Sequence, residues 1–113
     1  MLFVAEYDFG WDMFDAAIAK RLEWDSAAPE DFRFIGEFIW PHGEPAFRGV
    51  AVFECDSIDA VNQFVLHYGP TLRMRVHPAS DVLSAIRSAT GKALPAGRRR
   101  ARASQAAAGK RRA

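Results

Sequence analysis

The chain has 113 residues, with 15 Lys and Arg against 14 Asp and Glu, and a single cysteine. This length allows one domain and a tail, and no apolar run approaches the roughly 20 residues of a membrane-spanning helix. One cysteine excludes an internal disulfide, and the start of the chain lacks the pattern of a signal peptide, so we expect a cytoplasmic protein with no membrane partner.

The charge is divided sharply along the sequence. Residues 1–91 hold seven Lys and Arg and all fourteen acids, which gives −7. From Lys92 onward there are eight cations and no acid, which gives +8. Because residues 92–113 are rich in Ala, Arg and Gly and cannot bury enough apolar surface to order alone, the sequence predicts a domain over 1–91 and a basic, disordered tail over 92–113.

The first elements are a strand and a helix. Residues 2–7 begin a strand at once. After a turn at residues 8–10, Asp12 is expected to cap a helix whose apolar stripe is formed by Trp11, Phe14, Ile18 and Leu22. Residues 26–29 are expected to end it, because Pro29 cannot continue a helix.

A hairpin is predicted in the middle of the chain. Aromatic and β-branched runs over residues 32–40 and 47–54 flank a loop that contains Pro41, Gly43 and Pro45. Alternation would place Phe34, Phe38 and Trp40 on one face, and Ile35 and Glu37 on the other. We therefore expect one bulky apolar face that helices cover, and one face of mixed character.

The second half repeats these signals. Asp56 or Ser57 is expected to cap a second helix that ends at Gly69. Residues 71–77 alternate as a last strand, and Ser80 is expected to cap a short third helix reaching about residue 90. The order predicts an α+β, ferredoxin-like βαββαβ fold with a four-stranded antiparallel sheet, two helices on one face and an extra C-terminal helix.

Several segments together resemble a known family. They are the opening Met-Leu-Phe-Val, the runs over 32–40 and 50–54, the helix start at 55–59 and the late Val-His-Pro. Residues 1–90 thereby resemble a small bacterial family of unknown function, which is similar to the dimeric α+β barrel superfamily. The resemblance implies a homodimer through the open sheet face. It leaves the chemistry open, because that superfamily holds cofactor-free monooxygenases, haem-degrading monooxygenases, polyketide cyclases, lactone isomerases and proteins with no known activity.

Three residues are candidates for catalysis: His67, Tyr7 and Trp40. Haem-degrading members carry a ligating His near the end of the second helix, with an Asn on the first strand and a Trp on the second helix. Here the first strand offers no Asn and the helix carries Phe64, so we predict no cofactor. The alternative for His67 is a cation at a helix C-terminus. Monooxygenase members bind flat aromatics between helices and sheet, where the three candidates would lie; the alternative is that they are core residues.

Arg73, Arg75 and His77 are predicted to share one face of the last strand. The resemblance implies a pocket inside a dimeric barrel, where these cations would bind a small aromatic or anionic ligand. Glu6, Glu37, Arg48 and Glu54 are expected on the same side, so the alternative is a set of cross-strand ion pairs. His42 and Glu44 are too few ligands for a metal, and no metal site is predicted.

The tail carries two basic clusters that predict nonspecific nucleic-acid binding. Each cation that neutralises a phosphate releases counterions, whereas no aromatic is present to stack on bases. The residues concerned are Arg98, Arg99, Arg100, Arg102, Lys110, Arg111 and Arg112. The alternative is a solubilising extension or an arm that folds back onto the acidic body.

Two functions follow from these features. The first is a small-molecule-binding protein of the dimeric α+β barrel type, either a cofactor-free monooxygenase or an isomerase acting on an aromatic or polyketide-like substrate. The second is a noncatalytic structural or regulatory dimer whose tail docks on nucleic acid or an acidic partner. Whether the protein is an enzyme stays open at this point.

Overall fold

The computed structural model describes residues 1–91. The chain forms β1 (Leu2–Phe9), α1 (Phe14–Ala27), β2 (Arg33–Pro41), β3 (Phe47–Glu54), α2 (Ile58–Tyr68), β4 (Arg73–Ala79) and α3 (Val82–Thr90). The strands form one sheet in the order β2-β3-β1-β4, in which β3 pairs antiparallel with both β1 and β2. The predicted ferredoxin-like α+β fold is confirmed.

The chain divides into two units. Residues 1–78 contain almost all of the sheet together with α1 and α2, and the second unit begins at Ala79 and contains α3. The α3 helix is capped by Asp81, whose carboxylate accepts a hydrogen bond from the Ser84 amide at 3.0 Å, so the expected cap at Ser80 is one residue early. Gly91 ends α3 with a φ of +71°, a conformation that glycine adopts without strain. Within residues 1–91, no helix is long and apolar enough to cross a bilayer.

The core lies on one face of the sheet. Phe3 pairs across strands with Phe53, and Ala5 with Ala51, and all four are buried. Phe64 of α2 packs on this layer with its ring centre 4.9 Å from that of Phe53. The second helix begins as predicted at Ser57, whose hydroxyl accepts a hydrogen bond from the Ala60 amide at 3.2 Å. This is the face that the two helices cover.

The predicted face of α1 is wrong. Ile18 and Leu22 are exposed, and Ala17 and Trp24 are buried instead. The helix starts at Phe14 after a 3₁₀ turn, so Asp12 does not cap it. Apolar side chains surround this helix, many of them small alanines, so helical spacing alone does not single out the face that packs.

The predicted faces of β2 are also wrong beyond residue 34. Phe34 pairs with Phe53, but Gly36 pairs with Val52, so Ile35 is an extra residue that forms a β-bulge. One inserted residue exchanges the two faces of everything that follows. Glu37 therefore lies opposite Ala51 on the helix-covered face, whereas Phe38 lies opposite Val50, and Trp40 opposite Arg48, on the open face.

Candidate functional site

A cavity of about 270 Å³ lies on the helix-covered face, between the sheet and α1 and α2. Most of its wall is apolar, and small residues such as Ala17 and Ala51 leave the space that larger side chains would fill. Ile18 and Leu22 of α1 and Ile39 of β2 also line it and are exposed, which places them at its mouth. A space of this size suits a ligand of one or two fused rings.

Both tyrosines of the chain line this cavity, although they come from different elements. Tyr7 extends from β1 across Gly49, where an added Cβ would come within 2.3 Å of the ring carbon Cζ. Tyr68 is the last residue of α2 and is buried. Neither hydroxyl has a hydrogen-bond partner among residues 1–91, and the single fully buried orphan polar atom in that range is Trp24 Nε1. The two hydroxyls are therefore accessible and without a partner.

An ion pair forms the polar part of the cavity wall. Arg21 of α1 donates from Nε and Nη2 to the two carboxylate oxygens of Glu37, each at 2.7 Å. Its Nη1 donates to Asp25 at 2.6 Å, and its guanidinium lies 4.6 Å from the ring centre of Phe34. Such a two-pronged contact fixes the guanidinium plane. The bulge at Ile35 is what brings Glu37 to this side of the sheet.

The pKa values of Tyr68, Tyr7 and Arg21 are all raised in this wall. Burial, which disfavours the phenolate, raises the pKa of Tyr68 to about 12. Burial and then the Glu37 carboxylate raise the pKa of Tyr7, while Arg21 opposes them. The hydrogen bonds that Arg21 donates to the Glu37 carboxylate raise the pKa of Arg21. At neutral pH the cavity therefore offers two neutral phenols beside a charged but compensated guanidinium.

The three catalytic candidates from the sequence are not brought together. Tyr7 lines the cavity, but Trp40 lies on the opposite face of the sheet because of the bulge. His67 lies between the helices, with its Nε2 2.8 Å from the carbonyl oxygen of Lys20 and its ring against Trp24. Because a carbonyl oxygen only accepts, Nε2 carries the proton. His67 thus links α1 to α2.

Arg73, Arg75 and His77 lie along the open face of the sheet. Arg73 Nε donates to Asp8 at 2.7 Å, and His77 Nε2 is 3.2 Å from a carboxylate oxygen of Glu6. Arg75 forms no ion pair within residues 1–91. A second cavity, of about 570 Å³, lies on this face and is lined by Arg48, Arg73, Arg75 and Trp40, with Glu6 and Asp8. Arg73 and His77 thus form cross-strand ion pairs with Asp8 and Glu6 on an exposed surface. Ligand binding by these cations stays a prediction.

Two remaining sequence features can be located. Cys55 is buried, and burial raises the pKa of its thiol, which favours a packing role over reactivity. The basic tail residues Arg98 to Arg102 and Lys110 to Arg112 lie outside the described residues, so their predicted binding to nucleic acid stays a prediction. Within residues 1–91, no three His, Cys, Asp or Glu side chains converge as metal ligands would.

Sequence reasoning missed two residues of this wall, Arg21 and Glu37. Arg21 sits between Lys20 and Leu22 on a helix whose buried face could not be identified, and Glu37 was expected on the open face. The signal that could have found them is Gly36 within a bulky run, because an isolated glycine in a strand often marks a bulge. A bulge there would have turned Glu37 toward the helices.

Comparisons with known proteins give one clear match. A family described as a domain of unknown function, DUF3303, matches residues 1–93. No curated protein matches the chain. Among solved structures, formyltetrahydrofolate deformylase from Burkholderia mallei ATCC 23344 is similar with a TM-score of 0.43 and 12% identity, over 67% of this chain and 27% of that one. The chain thus spans about a quarter of that protein's length.

Proposed function

Because this chain belongs to the DUF3303 family, a family of unknown function, we propose its function from the cavity itself: it binds a small, flat, largely apolar molecule between the sheet and the helices. The observation that carries this proposal is the pair of partnerless tyrosine hydroxyls in an otherwise apolar cavity of about 270 Å³. Ligand pockets have this composition, in which apolar walls supply affinity and a few polar groups fix orientation.

The test is to block the mouth of the cavity without changing the core. Ile18→Trp enlarges an exposed side chain at the mouth, and Ile58→Trp makes the same change at an exposed site on α2 that does not line the cavity. We expect naphthalene and 1-acetylnaphthalene to bind the native protein and the Ile58→Trp variant, and to lose binding to Ile18→Trp, in ligand-observed NMR. Equal binding to all three proteins would contradict the proposal.

The finer proposal is a catalytic step on this ligand, either cofactor-free oxygenation or isomerisation of an aromatic or polyketide-like substrate. Tyr7 and Tyr68 support it, because neutral phenols held in an apolar cavity can stabilise an oxyanion as it develops. We expect a phenolic or enolisable ketone substrate to be converted by the native protein, and the Tyr7→Phe and Tyr68→Phe variants to be slower. Product analysis with and without oxygen separates the two reactions. If a panel of such substrates binds but none is converted, the catalytic proposal is wrong and the protein is a binding protein.

We also propose that the protein is a cytoplasmic homodimer whose open sheet faces meet. Trp40 stands exposed there, and charges of both signs alternate with Val4, Val50 and Val52, so two copies facing each other have complementary partners available. Trp40→Glu is expected to give monomers in analytical ultracentrifugation, and Leu66→Glu, an exposed change on α2, to leave the dimer intact. A native protein that sediments as a monomer at all concentrations would refute this.

The charge split of the sequence favours a second function, a noncatalytic structural or regulatory dimer whose basic tail docks on nucleic acid or an acidic partner. Deleting residues 92–113 removes all eight of its cations, so we expect the deletion to abolish DNA retention at low salt. Retention by the shortened chain would reject nucleic-acid binding through the tail.

A further inference from the structure

The charge of the cavity wall restricts the ligand that it accepts. Among the residues that line the cavity, the charged ones are Arg21 and Glu37. Asp25 is the second carboxylate on Arg21, which it contacts at 2.6 Å. One guanidinium is thus matched by two carboxylates, so the local charge of the three side chains is −1.

Three of the five guanidinium N–H groups of Arg21 are already bonded to carboxylates. Glu37 takes Nε and Nη2, and Asp25 takes Nη1. A ligand carboxylate that reached the two remaining N–H groups would be a third anion beside one cation, and burying it there would cost free energy. The single cation of the wall therefore does not act as an anion receptor.

The accessible hydrogen-bond donors are the two phenols. Both hydroxyls lack partners in residues 1–91, and the raised pKa of each phenol keeps its proton in place at neutral pH. A ligand oxygen that accepts a hydrogen bond would satisfy them, and a purely hydrocarbon ligand would not.

We propose that the ligand is an uncharged aromatic or fused-ring molecule that carries a carbonyl or similar acceptor oxygen, that Tyr7 and Tyr68 bind this oxygen, and that Glu37 excludes carboxylates by occupying Arg21. This inference rests on the proposed function and adds the chemical class of the ligand. It makes Glu37 a residue that determines charge selectivity.

Three probes of nearly equal shape test it: naphthalene, 1-acetylnaphthalene and 1-naphthoate. 1-Acetylnaphthalene has a methyl group on its carbonyl carbon, where 1-naphthoate has a charged oxygen. We expect the ketone to bind the native protein about two- to tenfold more tightly than naphthalene, the worth of one neutral hydrogen bond. We expect 1-naphthoate to bind more weakly than the ketone by about tenfold or more.

Conservative variants assign the effect to the named groups. Tyr7→Phe and Tyr68→Phe should each reduce the ratio of ketone affinity to naphthalene affinity. Glu37→Gln should raise the ratio of 1-naphthoate affinity to ketone affinity about fivefold, as expected for removing one partly exposed charge. Calorimetry measures all three affinities, and circular dichroism checks that each variant is folded.

The outcomes separate this inference from the function on which it depends. If naphthalene does not bind, or binds the Ile18→Trp variant equally well, the proposed function fails and the inference fails with it. If naphthalene binds but the ketone has no advantage, or 1-naphthoate binds best, the ligand class is wrong and the cavity remains a binding site. If both tyrosine variants keep the advantage of the ketone, the assignment to the phenols is overturned.

Discussion

The two faces of the sheet use the same strands for opposite purposes. On the face that α1 and α2 cover, Phe53 and Phe64 pack into a dry aromatic layer, and the few polar groups there surround one cavity. On the open face, Arg73 contacts Asp8 and His77 contacts Glu6 along exposed strands. The covered face therefore has few polar groups among many apolar side chains, whereas the open face carries charged side chains along most of its strands.

This difference determines how much each polar group contributes to stability and to ligand binding. A charge or hydroxyl that water reaches gains little from a protein partner, because the partner replaces water that was already bound. A hydroxyl in a mostly apolar cavity has fewer alternative partners, so its ionisation and its hydrogen bonds have larger effects on stability and ligand choice. We therefore expect substitutions on the covered face to have large effects and matched substitutions on the open face to have small ones.

The largest contrast is expected between two adjacent residues of β3. Phe53 is fully buried on the covered face, and Val52 points to the open face. Phe53→Ala should lower the free energy of unfolding by about 3–5 kcal/mol, because it removes buried surface and leaves a cavity. Val52→Ala should cost about 1 kcal/mol or less. Urea unfolding measures both, and equal losses would show that the two faces do not differ as described.

A pH-dependent difference is expected next. The pKa of Tyr68 is raised to about 12 from about 10, so the folded protein holds this proton more tightly than the unfolded chain does. The protonated phenol adds up to about 2–3 kcal/mol to the free energy of unfolding. This contribution is complete below pH 10 and is lost as the pH rises through 12. Tyr68→Phe has no phenol to titrate. As the pH rises over that range, we therefore expect its free energy of unfolding to fall less than that of the native protein.

The measurement is urea unfolding of the native protein and Tyr68→Phe at pH 9 and pH 11.5. Other groups that titrate at high pH affect both proteins alike and cancel in the difference. A difference in stability that does not change with pH would mean that the phenol is as well hydrated as one on the open face.

The order of helices and strands along the chain could be predicted from the sequence because several independent signals agree. Ser57 and Gly69 mark both ends of α2, and alternation along β1 and β3 places Phe3, Ala51 and Phe53 on the covered face. Caps, turns and alternation are local properties, so they can be read without knowing the packing.

The cavity could not be predicted because it depends on two nonlocal choices. The first is the face of α1 that packs, which the spread of apolar side chains around the helix leaves open. The second is the bulge at Ile35, which exchanges the faces of Glu37 and Trp40. Of the residues at the site, Tyr7 alone was predicted as a candidate, Arg21, Glu37 and Tyr68 were not, and Trp40 was expected on the wrong face.

A smaller contrast is expected between two glycines on opposite faces. An alanine Cβ at Gly49 would approach Tyr7 Cζ to 2.3 Å, whereas at Gly36 it would meet Phe38 Cε2 at 3.3 Å on an exposed side chain. Gly49→Ala should cost about 1–3 kcal/mol, because the Tyr7 ring has to move in a packed layer. Gly36→Ala should be neutral or stabilise by up to about 1 kcal/mol. Thermal unfolding compares the two, and a tolerated Gly49→Ala would mean that Tyr7 is not held in place.

The smallest effect is expected for the ion pair between Arg73 and Asp8. Arg73 is mostly exposed, so a double-mutant cycle with Arg73→Gln and Asp8→Asn should give a coupling of about 0.2–1 kcal/mol that falls in 1 M salt. Measuring the cycle in a Trp40→Glu background keeps the chain monomeric if the homodimer proposal is right. In the native background a second copy would cover this pair, and the coupling should then be larger and less sensitive to salt. Equal, salt-sensitive couplings in both backgrounds would mean that water reaches the open face in the native protein too, which contradicts a dimer formed through that face.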